Sequence, residues 1–193
     1  MKRFLTFLVI AASWTASAQD GSGVIKTNPF GWFAGQYQFG YEHFISEKAS
    51  VQLMPGGIFG SVSLTSTTVD STFAFESVSA TRGGFIVIPE FRYYLGGEAP
   101  DGMYISAFGR FRSVKTTLDD DGASSQTRSA VGGGFVLGYQ YMIASGLTGE
   151  LFLGPQFKAT RTTSTGQYDD YGFAIDDESD TGIRFGLNIG FGL

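Results

Sequence analysis

Few side chains in this sequence are suited to catalysis. The 193-residue chain has no cysteine and a single histidine, His43. Without cysteine, thiol catalysis, disulfide bonds and cysteine-ligated zinc are excluded. A general base at His43 needs a nucleophile and an orienting acid beside it, and the sequence contains no phosphate-binding loop, metal-ligand cluster or nucleophile elbow. We therefore predict no enzyme activity, no metal and no cofactor, and interpret His43 as an ordinary residue near the end of a strand.

A second set of side chains combines carboxylates with guanidinium and ammonium groups. These residues alternate with apolar neighbours along candidate strands, which places them on one face. They could form a gate along a narrow polar path, or a structural network that fills the interior of a small barrel. Eight strands leave just enough interior room for side chains, which favours the structural network. The predicted interior charge network consists of Glu42, Glu90, Arg92, Arg110, Arg112, Glu150, Lys158 and Arg184.

Acidic residues also cluster in two connecting segments, at 119–121 and 169–180. A calcium loop of the EF-hand type needs ligands at alternate positions and a bidentate glutamate at its twelfth position. The first segment has Ala130 at that position. We interpret both clusters as solvated loop charge.

The elements that carry these groups are predicted to be strands. The chain contains 28 glycines, 16% aromatic residues and only 16% charged residues. Each glycine inside a helix costs about 1 kcal/mol relative to alanine, so a helical bundle is excluded. The 42% hydrophobic content excludes disorder, and a collagen-like glycine period is missing. The composition indicates an all-β fold in which glycine and aromatic residues share the same strands.

Residues 1–18 have the pattern of a secretory signal peptide. Lys2 and Arg3 precede an apolar stretch, and Ala16-Ser17-Ala18 forms a small-residue cleavage site. Removing this leader changes the net charge from −5 to −7 and leaves residues 19–193 as one domain. An acidic chain without a basic cluster argues against nucleic acid as a partner.

The last segment shows the strand pattern most clearly. Odd positions from Ile183 to Leu193 are all large and apolar, whereas the even positions carry glycine, arginine and asparagine. A period of two residues indicates a β-strand. The apolar parity changes within Val24–Ile45, which predicts two strands joined by a tight turn around Phe33–Gln36. The total is then eight strands, with a β-bulge predicted at Pro55–Gly57.

The connections between these strands alternate in length. Short ones lie near 46–49, 96–102 and 144–146, and long polar ones near 67–80, 118–127 and 164–180. Short turns at one end and long loops at the other are typical of bacterial outer-membrane barrels. Loops 67–80 and 164–180 contain aromatic residues that could recruit a surface partner by edge pairing. An aromatic girdle is predicted at the short-turn end, formed by Tyr41, Tyr93, Tyr139, Tyr141 and Phe191.

Alternation alone does not decide which face meets water. A soluble lipocalin-like barrel or a β-sandwich would bury the large apolar face. In a membrane barrel that face contacts lipid, and the glycine-rich face lines a narrow interior where charges pair. The abundance of glycine and the near balance of charge on the second face favour the membrane barrel. We therefore predict an eight-stranded antiparallel up-and-down transmembrane barrel, with short periplasmic turns and longer external loops.

The segment Lys26-Thr27-Asn28-Pro29-Phe30, followed by Gly40-Tyr41-Glu42, resembles the opening of an uncharacterised family of exported bacterial barrel proteins. More broadly, residues 24–193 resemble the small outer-membrane barrels of the OmpX, OmpA transmembrane domain and OmpW type. The ending Arg184–Phe191 is similar to the C-terminal signal read by the barrel-assembly machinery, although this chain ends in Leu193 and not in an aromatic residue.

The resemblance implies a non-enzymatic integral protein of the bacterial outer membrane, with outer-membrane lipid and the barrel-assembly machinery as partners. Its interior is expected to be polar and plugged, with hairpins that protrude from the surface. Envelope structure or surface recognition would be its role. The alternatives are a narrow passage for small molecules and a soluble periplasmic ligand-binding barrel.

Overall fold

A computed structural model describes residues 23–68, 74–96, 99–119, 124–165 and 178–193. Eight antiparallel strands follow one another around a closed barrel, and the last strand pairs with the first. The predicted all-β, eight-stranded up-and-down fold is confirmed. The predicted signal peptide at 1–18 and the central parts of loops 67–80 and 164–180 lie outside the described residues. The strands are β1 Gly23–Thr27, β2 Gln36–Ser46, β3 Ala49–Thr68, β4 Ala74–Tyr94, β5 Gly102–Leu118, β6 Ser125–Met142, β7 Leu147–Thr165 and β8 Glu178–Gly192.

The predicted division of Val24–Ile45 into two strands is correct, but the connection is longer than a tight turn. A short helix, α1 (Pro29–Phe33), follows β1. Asn28 caps it, because its Oδ1 accepts a hydrogen bond of 3.0 Å from the Gly31 amide. Gly35 then reverses the chain with a φ of 68°. Within the described ranges, no helix is long and apolar enough to cross a membrane.

The bulge predicted at Pro55–Gly57 is wrong. Strand β3 pairs with β4 in one unbroken register, from Ala49 opposite Tyr93 to Thr68 opposite Ala74. The parity changes in the sequence because Met54 and Ile58 are large apolar residues that point into the barrel. The register shift in this part of the sheet instead lies in β2, between Phe44 and Ser46.

The two ends of the barrel differ in their connections. Residues 47–48, 95–101 and 143–146 connect strands at one end, called here the short-loop end. Residues 28–35, 69–73, 119–124 and 166–177 connect strands at the other, the long-loop end. The first strand is the shortest, and only its residues Val24–Thr27 pair with β8. By contrast, β3 and β4 pair along their full lengths.

The outer surface of the barrel is apolar. Phe135 is 66% exposed and Phe185 is 74% exposed, and every strand contributes at least one large apolar residue to this surface. The bulky face of each strand therefore points outward, and the glycine-rich face points into the barrel. The outward apolar residues include Ile25, Phe39, Leu53, Phe85, Phe91, Ile105, Phe111, Phe135, Leu137, Leu151, Leu153, Phe185 and Ile189.

The interior is not uniformly polar, which corrects the expectation from the sequence. Large apolar and aromatic side chains pack together inside the barrel, beside the buried charged residues. The interior residues occupy even positions of every long strand, so the inward face contains large side chains as well as glycine. This interior apolar cluster consists of Met54, Ile58, Ile86, Ile88, Tyr94, Tyr104, Phe108, Val114, Val136 and Phe152.

Glycine makes room for these large interior side chains. Tyr104 lies directly opposite Gly138 on the neighbouring strand, and a Cβ atom built on Gly138 would collide with the tyrosine ring. Because eight strands enclose little volume, a large inward residue needs a small one beside it. The same large–glycine pairing joins Lys26 to Gly40, Ile86 to Gly56, Ile58 to Gly84, Phe108 to Gly134, Phe152 to Gly186 and Arg184 to Gly154.

The substitution Gly138→Ala is expected to destabilise the barrel by about 1–3 kcal/mol, because the added methyl group displaces the buried Tyr104 ring. The matched control is Gly149→Ala, which adds a methyl group to an outward strand position with no neighbouring atom within 4 Å. Urea unfolding of the refolded proteins measures both changes. Equal stability of the two variants would contradict this account of interior packing.

Candidate functional site

Six charged residues lie buried in the barrel interior toward the short-loop end. They come from five strands, and each is at most 8% exposed. Three are cations and three are anions, so the group is formally neutral. Burying a charge is expensive unless it is paired and hydrogen-bonded. This set, called here the buried charge network, consists of Lys26, Glu42, Glu90, Arg92, Glu150 and Arg184.

Arg92 lies at the centre of the network and is fully buried. Its two terminal nitrogens donate to both oxygens of Glu150, with Nη1–Oε2 at 2.8 Å and Nη2–Oε1 at 2.9 Å. Its Nε donates to Glu90 Oε1 at 2.9 Å. The guanidinium carbon also lies 4.6 Å from the centre of the Tyr104 ring. Bidentate pairing of this kind fixes the orientation of both groups as well as compensating their charges.

Lys26 provides the second cation, and sequence reasoning missed it. Its Nζ lies 2.5 Å from Glu42 Oε2 and 2.6 Å from Glu150 Oε2, and it also donates to Gln140. The residue was interpreted only as part of the Lys-Thr-Asn-Pro segment. The available signal was its even position beside outward Ile25, in a strand of only five residues. So short a strand gives little periodicity to read.

Arg184 connects the network to the interior apolar cluster. Its Nη1 donates to Glu90 Oε2 at 2.9 Å. The guanidinium also lies over two aromatic rings, 4.2 Å from the centre of Phe108 and 4.6 Å from that of Phe152. A cation over an aromatic face is stabilised by the ring quadrupole. The charged and apolar residues of the interior are therefore joined by direct contact.

Neutral side chains complete the hydrogen bonding of the carboxylates. Tyr94 donates to Glu42 Oε1 at 2.8 Å, and Tyr104 donates to Glu150 Oε1 at 2.7 Å. Ser50 also donates to Glu42, at 2.5 Å, and Asn188 Nδ2 donates to Glu150 at 3.1 Å. Each carboxylate thus has charged partners, and Glu42 and Glu150 have neutral donors as well. Such an arrangement holds the barrel in one register.

Three predicted network residues do not join it. Arg110, Arg112 and Lys158 occupy even positions on the inward face, but they lie nearer the long-loop end. Arg110 Nη1 donates to Gln156 at 3.2 Å, and Lys158 Nζ lies 2.8 Å from Asp180 Oδ2. Alternation in the sequence indicates which face of the sheet a residue occupies. It does not indicate the position of the residue along the barrel axis, which determines the side chains that it contacts. The single network predicted from the sequence is therefore two separate groups.

The predicted girdle residues all lie on the outer surface toward the short-loop end. Tyr41, Tyr93, Tyr139, Tyr141 and Phe191 are between 41% and 54% exposed. The single histidine of the chain, His43, stacks on Tyr41 with ring centres 6.3 Å apart. Within the described residues, no three histidine, aspartate or glutamate side chains are grouped as a metal site.

A second group of outward aromatic residues lies toward the long-loop end and was not predicted. Trp32 and Phe39 have ring centres 6.5 Å apart, and Tyr37 and Phe59 have ring centres 6.4 Å apart. Phe33 at the end of α1 is 92% exposed. The pairing of Trp32 with Phe39 depends on α1, which places Trp32 beside β2 and which the sequence analysis did not predict.

The substitution Arg92→Met tests the energetic role of the network. Loss of this cation leaves three buried carboxylates with two cations, so we expect a loss of about 3–5 kcal/mol in unfolding free energy. The control Arg161→Met removes an exposed arginine of β7 and is expected to be near neutral. Adding Glu150→Gln to Arg92→Met is expected to recover part of the loss. Urea unfolding provides the measurement, and an Arg92→Met barrel as stable as the wild type would refute the assignment.

The comparison with known proteins identifies a family. Residues 4–174 match the family described as "Protein of unknown function (DUF3575)", and this match includes strands β1 to β7. No curated protein and no solved structure matches the chain. Because the family match covers most of its length, the chain belongs to the DUF3575 family.

Proposed function

We propose that this protein is a non-enzymatic integral barrel of the bacterial outer membrane, similar to the OmpX, OmpA and OmpW type, with a role in envelope structure or surface recognition. The observation that carries the proposal is the height of the outward apolar surface. A transmembrane β-strand needs about 9–11 residues to cross the hydrocarbon layer. In a water-soluble barrel, nothing would limit the outward apolar surface to the 9–11 residues of a membrane-spanning strand.

The outward apolar positions form a belt of this height on four consecutive strands. They run over nine residues on β5, from Met103 to Phe111, and over nine on β8, from Ile183 to Phe191. On β6 and β7 the belt spans eleven residues, at 131–141 and 147–157. Beyond it, toward the long-loop end, the outward residues become Lys115, Ser129, Arg161 and Thr181.

The two aromatic groups lie near the edges of this belt. Tyr93, Tyr139 and Tyr141 are near its short-loop edge, and Trp32 and Tyr37 are near the long-loop end. Tyrosine and tryptophan are enriched at both surfaces of a membrane, where an apolar ring and a polar tip meet lipid and water. Two such groups support a barrel that spans the bilayer.

The interior is compatible with lipid surroundings. Strand closure pairs the backbone groups all round the barrel, so that no sheet edge faces hydrocarbon. The buried charge network is paired from within. A soluble lipocalin-like barrel or a sandwich would bury residues such as Phe135 and Phe185, and both are exposed. The outward apolar surface therefore favours the membrane barrel over its soluble alternatives.

In this proposal the short-loop end faces the periplasm and the long-loop end faces the exterior, as is usual for barrels of this class. Residues 1–18 direct export, and the barrel-assembly machinery inserts the chain through its last strand. The strands β3 and β4 continue beyond the belt as a paired ribbon up to Thr68 and Ala74. This projecting hairpin is the surface through which a partner would be recognised.

The lipid-facing assignment is tested with Leu153→Lys, which places a charge at the middle of the belt on β7. A lysine at the bilayer midplane costs about 2–4 kcal/mol, so we expect weaker assembly and a lower unfolding free energy. The control Thr163→Lys lies on the same outward face of β7 beyond the belt and is expected to be near neutral. Assembly is followed by gel mobility of unheated and heated samples from fractionated cells.

Two outcomes would overturn the proposal. One is extraction of the wild-type protein into buffer without detergent, with no heat-dependent change in mobility. The other is a Leu153→Lys variant that is as stable as Thr163→Lys, because a water-exposed leucine is replaced by lysine at little cost.

The refolded wild-type protein is expected to be electrically silent in planar bilayers. The buried charge network and the interior apolar cluster together fill the barrel interior. Removing three of the side chains that join them, with Phe108→Ala, Phe152→Ala and Arg184→Ala together, is expected to produce measurable conductance. Stepwise conductance of the wild-type protein would show instead that the barrel is a passage.

A further inference from the structure

The interior toward the long-loop end contains a group of arginines that the buried charge network does not use. Arg82 on β4, Arg110 and Arg112 on β5, and Arg128 on β6 all occupy even, inward positions of three neighbouring strands. Arg112 lies opposite Ala130, so Arg128 is its diagonal neighbour across the β5–β6 pair. The register of the sheet therefore brings these guanidinium groups together.

Their charges repel one another. Arg112 lies close enough to Arg82 and Arg128 for like-charge repulsion, and Arg110 experiences the same from Arg112 and Arg184. A protein with a net charge of −5 has acidic residues available to relieve such repulsion. Toward the short-loop end, the three carboxylates of the buried charge network pair with three cations and so prevent repulsion between them.

The described residues provide no compensating carboxylate for three of these arginines. Among the described residues, Arg82, Arg110 and Arg112 form no ion pair with a carboxylate, and Arg112 Nε is a buried donor without a hydrogen-bond partner. Two described acidic residues of this end have other partners: Asp180 pairs with Lys158 at 2.8 Å, and Asp119 accepts a hydrogen bond from Thr81 at 2.9 Å. Unpaired cations inside a protein carry a desolvation cost that an anion would remove.

A small cavity lies directly beside these groups. It is lined by Arg110, Arg112, Gln156 and Lys158, and by the backbone at Gly132 and Gly133. Gly132 lies opposite Arg110 on one side and Lys158 on the other. A Cβ atom at position 132 would collide with the backbone of β7, so glycine allows β6 and β7 to approach closely beside the cavity.

We propose that this cavity binds a phosphate group, held by the guanidinium groups of Arg110 and Arg112, which line it, while Arg82 adds positive charge beside Arg112. Arginine presents several donors in a planar fork that fits the oxygens of phosphate. The cavity is small, which fits a phosphate group better than an extended polymer. Free phosphate and the phosphate of a lipid headgroup share this chemistry. The site does not depend on the proposed membrane location, because it is formed by the interior of the barrel.

Calorimetric titration of the full-length protein in detergent with inorganic phosphate tests the proposal. We expect saturable binding with one site per chain, in a buffer whose chloride concentration holds ionic strength constant. The double substitution Arg110→Gln and Arg112→Gln is expected to weaken binding at least tenfold. Arg161→Gln, which removes an outward arginine of β7, serves as the matched control and is expected to leave binding unchanged.

A second measurement distinguishes the sources of the phosphate group. Binding to vesicles that contain lipid A with its phosphates is compared with binding to vesicles of dephosphorylated lipid A. Binding of inorganic phosphate in solution supports a free anion as the ligand, and selective binding to the phosphorylated vesicles supports a lipid headgroup. The wild-type titration alone decides the outcome if the double variant does not assemble. Absence of both kinds of binding, or equal loss in the Arg161→Gln control, would overturn the proposal.

Discussion

The small interior of an eight-stranded barrel is the constraint on which the rest of this structure depends. Eight strands enclose just enough space for side chains, so each large inward residue requires a small neighbour on the next strand. Tyr104 beside Gly138 and Phe152 beside Gly186 are examples of this pairing. Interior packing thus accounts for part of the high glycine content of the chain, which has 28 glycines in 193 residues.

The interior changes in character along the barrel axis. Toward the short-loop end, charges are balanced and hydrogen-bonded around Arg92. Apolar and aromatic side chains pack beside these charges, and Arg184 joins the two groups through contacts with Phe108 and Phe152. Toward the long-loop end, arginines predominate. Among the described residues, the interior is therefore formally neutral toward the short-loop end and rich in arginine toward the long-loop end.

Much of the fold was predictable from alternation in the sequence, because a strand has a period of two and one face must be lipid- or core-facing. The outward face of Ile183–Leu193 and the number of strands are examples. Height along the barrel was not predictable, since it depends on register between strands. Arg110 and Arg112 were therefore assigned to the wrong partners, and Lys26 was missed in a strand of five residues. The parity change at Met54 was misread as a bulge because a large apolar residue inside the barrel was not anticipated.

Closure of the barrel depends on β1, which is the shortest strand. Only four residues of β1 pair with β8, so the backbone ladder at the junction of the two chain ends is the shortest in the barrel. Lys26 lies within this junction and bonds to Glu42 on one side and to Glu150, 124 residues further along the chain, on the other. That second contact exists only when the sheet has curled into a cylinder, because in the open sheet β1 is one edge strand and β7 lies beside β8, the other edge strand. The ammonium group of Lys26 thus adds side-chain contacts across the junction where the backbone pairing of the barrel is shortest.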